Sequence, residues 1–290
     1  MYTIFTDSDT DLSLKEANEI GYKLISMPYS YNGKTVFPYE DFEEFDSETY
    51  YNMLRAGTIP TTSAIGKEKY LSYFEPEFAA GRDILYVHFS RAMSMTFENM
   101  DEAVAELKEK YPERKFCELD TKGITAQSLC IVYEVGDMYK AGKSIEEILE
   151  WAKTEVYNFS LYFFSEDLKF FHKSGRVSGL AAAMGTLVGV RPIITMNAEG
   201  KMVAIGKARG RKNAIETLFK YIEEKGEHIE DHRILIPNTG APALAAEVER
   251  LLRERFGQDL NIIKVTTNPT AGAHCGPDGL GIAFHSVKRD

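Results

Sequence analysis

The stretch "DILYVHFSRAMSMTFENMDEAVAELKEKYP", residues 83–112, sets the frame for the whole chain. "DILYVHF" is a short, continuous apolar run rich in β-branched and aromatic residues, the pattern of a buried strand. "MTFENMDEAVAELKEKYP" carries apolar residues at helical spacing, and Pro112 stops it. Between them lies "SRAMSMT" (90–96), a turn with two methionines where glycine or small polar residues are usual. That turn is either a ligand-facing loop or a helix start packed into a core.

The same alternation extends in both directions. "YTIFT" reads as a strand and "SLKEANEIGY" as a helix with Ser13 as its N-cap. "KLISMPYSY" reads as one strand, with a tight turn at Asn32-Gly33-Lys34. "DSETYYNMLRAG" is a helix closed by Gly57, and "KFCELD" a further strand. Two helices follow, "AQSLCIVYEVGDMYKAG" and "SIEEILEWAKTEVYN", divided by Gly142. This β–α order predicts a doubly wound parallel sheet. From about residue 158 the pattern changes. "FSLYFFS" reads as a strand, "GLAAAMGTLVG" as a helix of small residues, and "VRPIITMNAEGKMVAIGKARG" as two strands about a turn. Helix, strand, helix and strand follow through "LNIIKVTT". The expected organisation is an N-terminal α/β domain over residues 1–158 and a mixed α/β domain over 159–290.

Composition narrows the function. Hydrophobic residues make up 44% of the 290 and charged residues 27%, as in ordinary globular proteins. The net charge of −10 argues against nucleic acid as a partner, because phosphate binding needs a basic face. Cys117, Cys130 and Cys275 have neither metal-binding spacing nor even pairing, which suits a reducing compartment. No apolar run reaches the roughly 18 residues of a membrane span. The opening "MYTIFTDSDTDLS" lacks the basic and apolar segments of a signal peptide, so the expected setting is cytoplasmic.

Four loops concentrate hydroxyl, acidic or glycine residues: "TDSDTD" (6–11), "TIPTTSAIG" (58–66), "HFSRAMSMT" (88–96) and "AGAHCGPDGLG" (271–281). We read each as following a strand, where doubly wound sheets hold their ligands. The three aspartates of the first loop lack the glycine and distant glutamate of a calcium loop, and Asp7 and Ser8 are expected to cap or brace the turn. The hydroxyls of Thr61, Thr62 and Ser63 suit either a carboxylate or an ordinary helix entry. "HKSGRVSG" (172–179) lacks the spacing of a nucleotide-phosphate loop, and "KARGRK" (207–212) reads equally as a solvated basic turn. His274, among small residues, is the histidine best placed to meet a ligand. No nucleophile elbow or zinc-protease motif is present.

Taken in order, these segments resemble the DegV family of bacterial fatty-acid-binding proteins. "TDSDTDLS" resembles the family's "TDSTADL", and "IPTTSAIG" its "PTTSQPS". "SRAMSMT" falls where the family has "SSGLSGT". "DLKFFHKSGRVSG" resembles "DLEYLKKGGRIS", "KARGRKNAIE" resembles "KVRTKKKAIE", and "AHCGPDGLGIAF" resembles "HTGPGALGLAF". The resemblance implies a two-domain α/β fold with one long-chain fatty acid in the cleft between domains and no other cofactor or metal. It implies that Thr62, Ser63 and Ser94, with Thr61 nearby, meet the carboxylate, and that Arg209 and His274 lie near the same end. It further implies a lipid carrier with no catalytic residue of its own, serving a separate ATP-dependent fatty acid kinase subunit. The chain departs from the family pattern at Arg91, Ala92, Met93 and Met95. Arg91 is expected either to pair with the ligand or an acidic neighbour at the mouth or to lie on the surface, with Met93 and Met95 as adaptable wall or as core. The alternative reading is an enzyme or phosphotransfer component acting on a small hydroxylated or phosphorylated metabolite.

Overall fold

In the computed structural model, residues 1–179 and 189–289 are described. The chain starts with β1 (Tyr2–Asp7), α1 (Leu14–Ile20) and β2 (Tyr22–Ile25). Ser13 caps α1 in a reciprocal box: its hydroxyl accepts from the Glu16 amide, and Glu16 accepts from the Ser13 amide. The segment read as one strand, "KLISMPYSY", is two. The break falls before Pro28, whose nitrogen has no proton to give a ladder. Beyond it β3 (Tyr29–Tyr31) turns into β4 (Lys34–Val36) in a different sheet.

The next elements are α2 (Ser47–Arg55), β5 (Thr61–Thr62), α3 (Lys67–Ala79), β6 (Asp83–His88), α4 (Thr96–Lys110), β7 (Phe116–Asp120), α5 (Ala126–Lys140) and α6 (Ile145–Glu155). The order β2-β1-β6-β7 is a wholly parallel sheet, and β4-β3-β5 forms a small antiparallel one. After it come β8 (Phe159–Phe164), α7 (Lys169–Ser174), β9 (Val177–Ser178), β10 (Val190–Met196) and β11 (Met202–Arg209). The chain ends with α8 (Arg211–Lys225), β12 (Ile234–Asn238), α9 (Pro242–Phe256), β13 (Ile262–Thr266), α10 (Pro269–Cys275) and β14 (Leu280–His285). These strands form a seven-stranded mixed sheet in the order β13-β12-β14-β8-β10-β11-β9. The architecture is therefore mixed α/β, with a parallel sheet followed by a mixed one. The small-residue helix read over 179–189 falls almost wholly outside the described residues.

Helix α5 joins the two sheets. Its first eleven residues, "AQSLCIVYEVG", are apolar on nearly every side, the mark of a helix buried all round. It packs on β8, β12 and β14 of the mixed sheet. Leu129, Ile131 and Val135 also share one core with Ile4, Leu85 and Leu119 of the parallel sheet. Each such side chain stabilises the fold by roughly 1.5–3 kcal/mol on burial. Gly136 lets α1 approach closely, since a Cβ there would stand 2.7 Å from Ile20. Gln127 donates from Nε2 to the Phe159 carbonyl at 2.6 Å, fixing the helix to the first strand of the mixed sheet.

Candidate functional site

A cavity of about 260 Å³ lies beyond the carboxyl ends of the parallel strands. Asp9, Phe89 and Ile124, which follow β1, β6 and β7, form one side. Leu161, Phe163 and Leu280 from β8 and β14 form the other. Apolar side chains, among them Met27, Phe89, Phe163 and Met202, supply much of the lining, with buried hydroxyls of Ser165, Thr239 and Thr270 between them. Thr62, Ser94, His274 and Arg176 are partly exposed members of the same lining.

Thr62 and His274 meet in that partly exposed lining, Oγ1 to Nε2 at 3.0 Å. The loop at 58–66 follows helix α2 rather than a strand, and Thr62 is held by pairing of β5 with β3. His274 lies not in an open loop but on the short helix α10, which the chain anchors from several directions. Tyr50 and Tyr51 of α2 donate to the carbonyls of Pro269 and Thr267 at 2.6 and 2.7 Å. The Thr270 hydroxyl donates to the Met27 carbonyl at 2.7 Å. Asn268 caps the helix and donates through its own amide to Asp11 at 2.8 Å. Burial, with the positive charge of Arg176 nearby, lowers the His274 pKa to about 4, so its imidazole is neutral at pH 7.

The loop after β6 brings the third hydroxyl. Ser94 accepts from the Thr96 amide at 3.2 Å, which leaves its O–H to donate elsewhere. Met93, Ser94 and Met95 line the cavity, as does Ser63. Met95 is 71% exposed, so it stands at the mouth and not in a core.

Arg91 has a different place. Its guanidinium forks onto Asp101 at 2.5 and 3.0 Å and onto Glu118 at 2.9 and 3.2 Å, with the Phe97 ring beneath. It borders a shallow depression outside the cavity together with Phe97 and Glu98. Thr61 points outward beside Thr62, and Arg209 is exposed at the end of β11; neither lines the cavity.

Arg176 lines the opening but was not singled out from sequence. It donates to the Ser174 carbonyl at 2.5 Å and, among the described residues, forms no ion pair. Its only signal was the basic loop "HKSGRVSG", which spacing alone ruled out as a nucleotide loop. Among the described residues, His228, Glu230 and Asp231 bring metal-ligand atoms within 4.8 Å of one another, but all three are exposed and none lines the cavity. No helix of the described residues is long and apolar enough to cross a membrane.

A parallel and a mixed sheet sharing one buried helix, with a cavity lined from both, define a mixed α/β fold class. The chain belongs to the DegV family, whose model, described as uncharacterised protein, matches residues 1–287. A DegV domain-containing protein of Clostridium perfringens is 29% identical over 284 residues, covering 98% of this chain and 97% of that one. The fold is shared with a fatty-acid-binding DegV family protein from Thermus thermophilus, with TM-score 0.84, 24% identity and 99% of both chains covered. It is shared also with a stearic-acid-binding protein from Eubacterium ventriosum, with TM-score 0.87, 20% identity and coverage of 99% and 98%.

Proposed function

We propose that this chain binds one long-chain fatty acid in the cavity, with its carboxylate at the opening among Thr62, Ser94, His274 and Arg176. We read the chain as two units, residues 1–158 and 159–290, with the ligand between them. The observation that carries this reading is a cavity with many apolar lining side chains whose partly exposed lining includes Thr62, Ser94, neutral His274 and Arg176, a guanidinium with no ion pair among the described residues. The two relatives from Thermus thermophilus and Eubacterium ventriosum bind fatty acids, which supports it.

The energetics agree. Burying about fourteen methylenes yields roughly 11 kcal/mol before ordering costs, at about 0.8 kcal/mol each. The carboxylate must exchange water for donors of comparable strength, or its burial costs several kcal/mol. Arg176 suits that task because its planar donors can engage both carboxylate oxygens.

The chain then acts as a carrier that presents the acid to a separate ATP-dependent fatty acid kinase subunit. Its own residues hold and orient the carboxylate and exclude water from the chain. Binding of a long-chain acid by the delipidated protein, measured by titration calorimetry, tests the first part. Addition of a kinase subunit, ATP and magnesium, with detection of acyl phosphate, tests the second.

A further inference from the structure

Met27, Met93, Met95, Met202 and Cys275 all place sulfur in the lining of the cavity. Their exposure separates them. Met27 and Met202 are buried and Met93 is half-buried, whereas Met95 is 71% exposed. Among the described methionines only Met1 is as open to water, and it lines no part of the cavity. Met95 also borders the shallow depression beside the cavity, and Ser94 and Arg176 border both as well. It is the N-cap residue of α4, a place where serine, threonine, aspartate and asparagine are favoured, and its side chain makes no capping bond. A large apolar side chain therefore stands in water at a helix cap it does not serve, beside the donors assigned to the ligand carboxylate.

Thioether chemistry gives that position a consequence. Oxidation at a methionine sulfur needs access but no deprotonation, and it turns a flexible apolar group into a polar sulfoxide. A cysteine reacts through its thiolate. Burial pushes the Cys275 thiol up to about 12, so it stays protonated and slow to react. Exposure then singles out Met95 as the reactive sulfur of the lining.

We propose that Met95 is an oxidation site that sets the affinity of the cavity: a hydroperoxide converts its thioether to the sulfoxide, and the acid is held less tightly. With hydrogen peroxide the O–O bond breaks, the S–O bond forms, the sulfur loses two electrons and the remaining oxygen leaves as water. The new oxygen is a hydrogen-bond acceptor on the edge that Ser94 and Arg176 share. There it competes with the ligand carboxylate for their donors. Reduction by a thiol-dependent methionine sulfoxide reductase reverses the change: the oxygen leaves as water and two thiols become a disulfide. This inference rests on the fatty-acid reading above.

The test treats the delipidated full chain with graded hydrogen peroxide, locates added oxygen by peptide mass spectrometry, and titrates each sample with octadecanoic acid. We expect Met95 to gain oxygen before Met27, Met93 or Met202. Affinity should fall at least about fivefold as it does so, and return after treatment with the reductase and a dithiol. In Met95→Leu, treated and untreated samples should bind alike at the dose that oxidises Met95 in the unaltered protein. Unchanged affinity in protein whose Met95 is fully oxidised, earlier oxidation of another methionine of the lining, or an equal fall in Met95→Leu would each overturn the Met95 assignment while leaving the fatty-acid reading intact. Failure of the untreated protein to bind any long-chain acid would overturn both. The comparison of oxidised with reduced unaltered protein decides the matter even if the variant does not fold.

Discussion

Thr62 and His274 illustrate how the site works at the level of single atoms. Because His274 is neutral, the 3.0 Å pair is an ordinary hydrogen bond whose direction a ligand can set. Ser94 spends its acceptor on the Thr96 amide and keeps its donor. A lost hydrogen bond to a charged group typically costs about 1.5–3 kcal/mol. Thr62→Ala and Ser94→Ala are each expected to weaken fatty-acid binding about tenfold or more, read by calorimetry, with an unchanged circular dichroism spectrum. Asp9 supplies a pH signature. Its folded pKa lies above its unfolded one, so its contribution is harmless below about pH 4 and becomes a penalty as pH rises beyond that. Asp9→Asn should therefore be more stable than the unaltered protein at pH 8, with the difference vanishing toward pH 4. Urea midpoints across that range check it. His274 carries the opposite sign: its depressed pKa makes acidification from about pH 6.5 toward 4 destabilising, and Asp9→Asn leaves that slope in place.

Among the elements, the loop at 90–96 is held from outside as well as inside. The turn between β10 and β11 presses on it: a Cβ at Gly200, where φ is +78°, would stand 2.1 Å from Ser90 Oγ. Gly200→Ala should lower stability by about 1–3 kcal/mol and weaken ligand binding by moving Ser94, as unfolding and titration together would show. Arg91 pins the same loop to Asp101 and Glu118, with its donors directed away from the cavity. Arg91→Ser is expected to cost about 1 kcal/mol of stability and to change fatty-acid affinity less than threefold. Much of this framework was legible in the sequence, because buried parallel strands and capped amphipathic helices carry strong local patterns. The capping box at Ser13 and the strand–loop–helix unit at 83–110 are examples. Helix α3 escaped notice, since "KEKYLSYFEPEFA" contains Pro76 and has aromatic residues without a clean polar face. Helix α10 hid in a run of small residues whose order comes from tyrosines more than two hundred positions away. Arg176 was invisible for the same reason: its place at the mouth depends on how α7 meets α10, a contact no local pattern records.

For the whole molecule, the central feature is that two sheets share helix α5 and that a cavity lies beyond the carboxyl ends of the parallel strands. Thr62 and His274 meet there from segments about two hundred residues apart, so a ligand bound as proposed would touch both parts of the chain. Carrier chemistry needs nothing more than this. Pure protein incubated with ATP, magnesium and a long-chain acid is expected to yield no acyl phosphate, and its formation without a second protein would contradict a carrier role. The most direct test of the account is native mass spectrometry of the protein purified from bacterial cells without delipidation. The account predicts one bound acid of about 14–18 carbons per chain, released on denaturation. A small phosphorylated metabolite in its place, or an empty cavity that takes up no long-chain acid when one is supplied, would contradict it.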